Sequence, residues 1–130
     1  AYDNVVFHRV IDGFMAQTGD VQFGNSAKDF NPAQAGMGGS DLPDIKAEFS
    51  QEPFVRGTVG MARAQSPDSA NSQFFITFGD ASFLNGQYTV VGNVESGMEL
   101  VDKIKRGDEA QNGVVSDPDK MVKVKIAADK

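Results

Sequence analysis

The chain has no cysteine, no tryptophan and a single histidine among its 130 residues. Without cysteine it forms neither disulfides nor thiolate metal sites, and this leaves the redox compartment open. One histidine, His8, rules out a multi-histidine zinc site. No apolar run approaches the ~20 residues of a membrane-spanning helix. Positive charge is scarce. Lys and Arg number 12 against 18 Asp and Glu, a net charge of −6, which argues against nucleic acid as the main partner. A hydrolytic triad lacks its Gly-x-Ser-x-Gly elbow. Gly36-Met37-Gly38-Gly39-Ser40 lacks the ending of a phosphate loop. No metal or cofactor is expected.

What is present suits one domain covering residues 1–130. Apolar residues make up 40% and charged residues 23%, while 14 glycines imply many turns and 10 phenylalanines an aromatic core. Residues 5–11 are β-branched and aromatic and predict a strand. Asp12-Gly13 is a turn signal, and residues 14–20 return as the second strand. Residues 21–44 turn to Gly, Asn, Ser, Pro and Asp, a long loop of the kind that is usually functional or mobile. Further strands are predicted at 46–49, 58–62, 73–78, 88–94 and 122–126. Alternation in 73–78 puts Gln73, Phe75 and Thr77 on one face. Phe74, Ile76 and Phe78 are expected to fill the core, leaving Phe75 outward with Gln73. One helix is expected over 98–106. Ser96 and Glu99 are spaced as a capping box, Glu99–Lys103 and Asp102–Arg106 as i,i+4 pairs, and Gly107 as the stop. The fold class is mostly β, a barrel or sandwich.

One residue does not fit a plain β domain. Arg9 lies among Val, Phe and Ile, and a cation there needs a partner or a wet groove. The hairpin register decides whether Gln17 is that partner. A two-residue loop puts Arg9 and Gln17 on opposite faces. A three-residue loop, Asp12-Gly13-Phe14, pairs Arg9 with Gln17 and Ile11 with Met15. Gly13 accepts the left-handed conformation such a loop requires, so the three-residue register is predicted.

The segment Phe7-His8-Arg9-Val10-Ile11-Asp12-Gly13-Phe14-Met15-Ala16-Gln17-Thr18-Gly19-Asp20 resembles the signature of the cyclophilin family of peptidyl-prolyl cis–trans isomerases. Three more stretches resemble the family in the same order: Gly57-Thr58-Val59-Gly60-Met61-Ala62-Arg63-Ala64, Asn71-Ser72-Gln73-Phe74-Phe75-Ile76, and Phe83-Leu84-Asn85-Gly86-Gln87-Tyr88-Thr89-Val90-Val91-Gly92. The resemblance covers nearly the whole chain, and its wording is nearest the bacterial type. It implies an eight-stranded antiparallel barrel capped by helices, with the site on the outer face. It implies that Arg9 is the catalytic arginine and that Gln17 orients it. By the same resemblance Phe14, Met15, Phe75 and Leu84 receive the proline ring, and the backbone of Ala62, Arg63 and Ala64 pairs with the residue before proline. Gln73 is a polar residue beside that segment. His8, Gly36, Phe83 and Tyr88 lie at the rim.

Several positions depart from the better-known family pattern. Phe83 stands where many eukaryotic members carry tryptophan, which should weaken binding of a cyclosporin-type macrocycle. Tyr88 replaces a common histidine, and Arg63 a common asparagine. The loop between Asp20 and Gly36 is longer than in the shortest members. The family also places two strands and a helix, roughly 30–40 residues, ahead of the Phe7-His8-Arg9 motif. The sequence, which opens at Ala1, is therefore expected to be an incomplete domain with open strand edges. Expected partners are proline-containing peptides and unfolded proteins. A monomer is expected from the family, and cytoplasm is expected because no targeting segment is visible. The function implied is Xaa–Pro isomerisation; the alternative is a proline-peptide binding module without turnover.

Overall fold

The computed structural model describes residues 1–28 and 30–127. Among these, seven short strands make two antiparallel sheets. The strands are β1 (Val5–Val6), β2 (Arg9–Ile11), β3 (Met15–Thr18), β4 (Thr58–Met61), β5 (Phe74–Thr77), β6 (Val90–Asn93) and β7 (Lys120–Met121). β1 pairs with β7, and the larger sheet runs β2-β3-β5-β4-β6. Neither sheet closes on itself among the described residues. No helix there is long and apolar enough to cross a membrane.

The first hairpin takes the three-residue register. Arg9 pairs with Gln17, Val10 with Ala16 and Ile11 with Met15. Gly13 sits at φ 75°, and the Phe14 N–H donates to the Ile11 carbonyl at 3.0 Å to close the turn. Because side chains alternate, this register sends Arg9, Ile11, Met15 and Gln17 to one face and Val10 and Ala16 to the other. Pairing continues across the sheet, Gln17 to Phe75 and Phe75 to Gly60. One row therefore reads Arg9, Gln17, Phe75, Gly60.

Both faces of the sheet are covered. On one, Phe7, Val10, Ala16, Phe78 and Val115 form a buried cluster, with Met98, Val101 and Ile104 packed against it. On the other, Met15, Phe54, Phe75 and Ala81 form a second. This corrects the expectation that Phe75 faces outward. Phe75 is only 5% exposed, and its partners Phe74 and Ile76 on the opposite face are the half-buried ones. Phe54, fully buried, swings over from outside the strands and stacks on Phe75, ring centroids 5.6 Å apart. Gly60 makes this possible, since a Cβ there would lie 2.7 Å from both rings.

Three local expectations fail for reasons of hydrogen bonding. Residues 46–49 are not a strand; Ile45 makes one bridge to Ala70, and the next N–H groups donate to side chains, Ala47 to Asp68 and Glu48 to Thr89. The helix spans only Met98–Val101, and the expected capping box does not form. Gly97, left-handed at φ 83°, takes the cap position, and no side chain caps it. The Asp102 carboxylate turns to Arg56 and the Arg106 guanidinium to Asp12, in place of the expected i,i+4 pair between them. Gly107 lies beyond the short helix, and its N–H donates to Val10. At the far end the strand is Lys120–Met121 rather than 122–126. Its length is set by β1, only two residues long.

Candidate functional site

Arg9 is held from two sides. Its Nη1 donates to Gln17 Oε1 at 3.0 Å. Its Nε donates to the Asn112 carbonyl at 2.9 Å, and Nη2 to Asn112 Oδ1 at 3.1 Å. A guanidinium carries five N–H groups; among the described residues three are engaged, so one on Nη1 and one on Nη2 remain for a ligand. Partial burial lowers the Arg9 pKa, and Tyr88 acts in the opposite direction. The group stays a cation at any physiological pH, because arginine starts so high.

Asn112 is a residue the sequence reading missed. It ends the short 3₁₀ turn Glu109–Gln111 in the left-handed conformation, φ 59° and ψ 31°. That conformation lets its carbonyl and side-chain oxygen reach the same guanidinium. Its one sequence signal was the Asn112-Gly113 pair, since asparagine tolerates left-handed backbone better than other non-glycine residues.

Gln17 is anchored in turn. Its Nε2 donates to Gln73 Oε1 at 2.9 Å, and Gln73 Nε2 donates to the carbonyls of Gly36 and Gly38 at 2.9 and 2.8 Å. The N–H groups of the same two glycines donate to Asp20 Oδ2 at 2.7 and 3.0 Å. Asp20 Oδ1 accepts from Gln22 and Phe23 at 3.0 and 2.9 Å. Asp20 is fully buried, so this carboxylate, unassigned from sequence, anchors the polar chain that ends at Arg9.

Beside the cation lies an apolar pocket, part of a cavity of about 470 Å³. Buried Met15 and Phe75 lie in its lining, and half-buried Phe14, Ala62, Leu84 and Tyr88 pack against them. Phe83 sits outside, 65% exposed, its ring 5.4 Å from that of Phe14. Tyr88 meets Phe75 edge-on and carries the Arg63 guanidinium over its ring at 4.5 Å. Arg63 also donates to the carbonyls of Ala64, Gln65 and Gln87, so its side chain is folded back onto the wall. The Ala62 N–H is taken by Gln73 and the Ala64 N–H by Ser69. Among the described residues nothing bonds the backbone N–H or carbonyl of Arg63. Ala64 and Gln73 line an adjoining cavity of about 840 Å³.

His8 and Gly36 complete the set and touch each other. Gly36 has φ 101°, and a Cβ on it would lie 3.0 Å from the His8 ring. His8 is buried, and among the described residues neither ring nitrogen has a hydrogen-bond partner within normal geometry. Burial lowers its pKa to about 4, against the opposing pull of Asp20. The folded imidazole therefore resists a proton that the unfolded chain accepts near pH 6.5. Between those values the unfolded state binds more protons, so stability is lost as pH falls from about 6.5 toward 4. Urea midpoints measured across that range should fall for the wild type and fall less for His8→Gln. Parallel curves would exclude His8 as the source.

The structure thus brings the sequence-predicted site residues to two adjoining cavities, except Phe83, which lines neither and lies exposed against Phe14. In class, this is an antiparallel β-sheet protein with an arginine clamped beside an apolar pocket. The family model for cyclophilin type peptidyl-prolyl cis-trans isomerase/CLD matches residues 1–126, and the chain belongs to that family. A probable peptidyl-prolyl cis-trans isomerase of Brucella abortus is 69% identical over 129 residues, 99% of this chain and 66% of the relative. This chain therefore spans about two thirds of that relative's length. The peptidyl-prolyl cis-trans isomerase-like 1 protein of Aspergillus fumigatus is 36% identical over 107 residues, 79% of this chain and 59% of the relative. Among solved structures, a Hirschia baltica cyclophilin superposes with TM-score 0.72 at 23% identity, covering 93% of this chain and 58% of that one, which speaks to fold alone. A Cryptosporidium parvum cyclophilin, crystallised in the presence of the dipeptide Ala-Pro, superposes with TM-score 0.67 at 29% identity, covering 86% and 68%.

Proposed function

We propose that the chain catalyses cis–trans rotation about Xaa–Pro bonds in peptides and unfolded proteins. The observation that carries this reading is Arg9, fixed by Gln17 and Asn112 with two N–H groups left over at the edge of an apolar pocket. The prolyl C–N bond resists rotation by ~18–20 kcal/mol because it has partial double-bond character. When the amide twists, conjugation is lost and the nitrogen regains its lone pair. A donor aimed at that nitrogen favours the twisted amide over the planar one, which is differential binding of the transition state. Arginine suits the task because its charge is permanent and its donors lie in a fixed fork. The proline ring rests on Phe75, Met15 and Leu84. The unpaired backbone of Arg63 holds the residue before proline. With the ring fixed, rotation takes place on the acyl side. No covalent bond changes, so no base, metal or cofactor is called for.

The proposal extends to ligands and to Asn112. Phe83 offers no N–H at the rim, so a cyclosporin-type macrocycle is proposed to bind weakly. Asn112→Ala removes one oxygen from the guanidinium and weakens the left-handed turn that presents the other. The catalytic efficiency should fall about tenfold, the loss of roughly one charge-assisted hydrogen bond. Exchange NMR on a short Xaa–Pro peptide tests the reading directly. Catalytic amounts of the protein should accelerate cis–trans exchange. Saturable binding with no acceleration would overturn catalysis and leave a binding module.

A further inference from the structure

The proline pocket uses only part of the 470 Å³ cavity. Across the sheet, Phe75 lies on the β3 side of Arg9, whereas Val114 bridges Arg9 from the outer side of β2. The same cavity continues to that outer side. There it is lined by Val114 and Pro118, and by Phe30, Pro32, Ala33 and Ala35 from the long loop. None of these is charged. Among the described residues, Arg9 and Arg63 are the cavity's only ionised lining, and no carboxylate reaches it. The mechanism proposed above uses none of this wall.

The loop is a built element. The Asn31 N–H donates to the Phe23 carbonyl at 3.0 Å, and the Asn31 carbonyl accepts from Ala35 at 2.9 Å. Asn31 Oδ1 accepts from the Ala33 N–H at 3.1 Å, and its Nδ2 donates to Gln34 Oε1 at 2.9 Å. Gly36, the next residue after Ala35, is tied to Asp20. Phe30 is held half-buried at the cavity, and Asp20 thus links the loop to the chain of bonds that orients Arg9.

We propose that residues 30–35, with Val114 and Pro118, form a second apolar subsite for the side chain of a residue directly flanking the substrate proline. This rests on the proposed function in one respect, that the proline ring seats against Phe75. A peptide so seated crosses Arg9, and its neighbouring residue projects toward Val114. A leucine or phenylalanine there gains apolar contact and meets no polar partner it would leave unpaired. A lysine meets that apolar wall, two arginines and Asn112, whose oxygens already serve Arg9, and no carboxylate among the described residues.

Two tetrapeptide series decide the matter, Ala-Xaa-Pro-Ala and Ala-Ala-Pro-Xaa, with Xaa as Ala, Leu, Phe or Lys. Dissociation constants come from amide shifts of the protein, and exchange rates from NMR on the same samples. In one series Leu and Phe should bind about tenfold tighter than Ala, and Lys should show no gain. The series that responds identifies the flank. The gain should shrink to about twofold or less in Phe30→Ala. It should shrink likewise in Ala33→Asp, whose exposed position leaves folding intact. Equal binding across both series overturns the subsite, as does a preference that both variants retain. Discrimination without rate enhancement would refute isomerisation and sustain the subsite; rate enhancement without discrimination would do the reverse.

Discussion

Arg9→Ala should lose two to three orders of magnitude in isomerisation rate while peptide binding changes far less. The estimate follows from other enzymes, where removing one preorganised donor to a developing charge costs about 10²–10³ in turnover. The reason the loss falls on turnover is geometric. The ring pocket of Phe75, Met15 and Leu84 does not depend on the guanidinium for its shape, because Phe54 and Ala81 pack beneath it. Ground-state binding therefore survives, and stabilisation of the twisted amide does not. Arg9→Lys should recover little. A lysine ammonium is a point charge, and it cannot span Gln17 on one side and both oxygens of Asn112 on the other. Exchange NMR with a saturating proline peptide separates the two effects. Equal rates for wild type and Arg9→Ala would remove Arg9 from the mechanism.

Asp20→Ala should cost on the order of 4 kcal/mol in folding stability. Asp20 is fully buried, and its two oxygens accept N–H donors from Gln22, Phe23, Gly36 and Gly38. Truncation strands those donors, and each buried orphan costs roughly 1–3 kcal/mol where water does not replace the lost acceptor. Asp20→Asn should be milder but not silent. Its carbonyl oxygen can serve one pair of donors, while its NH₂ confronts the other. The urea midpoint should fall in the order wild type, Asn, Ala. Amide exchange at Gly36 and Gly38 should quicken in the same order. If both variants unfold at the wild-type midpoint, the carboxylate is not the anchor described.

The pairing of Arg9 with Gln17 was legible because the hairpin enforces a simple parity. With Gly13 in the turn, Arg9 and Gln17 had to share a face, and one residue of slip would have parted them. Phe75 shows the limit of that logic. Alternation correctly put it on the face of Gln73, yet alternation alone does not tell which face is covered. Phe54, a residue with no strand pattern around it, decided that by stacking on Phe75 over Gly60. The helix is shorter than its capping residues and charge pairs imply, because those signals count only partners along the helix. In the folded chain Asp102 answers to Arg56, and Arg106 to Asp12.

The resemblance to cyclophilins pointed to Arg9, Gln17 and the apolar set; by itself the sequence determined the β-rich class, the turn at Gly13 and the shared face of Arg9 and Gln17. Local period and turn chemistry carry that information, since they depend on neighbours along the chain. Only the tertiary structure decided that Asn112, 103 positions away, clamps Arg9. Only there does Asp20 anchor the bond chain through Gln73 and Gln17, and the long loop become a wall of the cavity. These are contacts between segments with no shared periodicity. Their partners are chosen by which surfaces packing brings together and by the need of each buried polar group to find a bond.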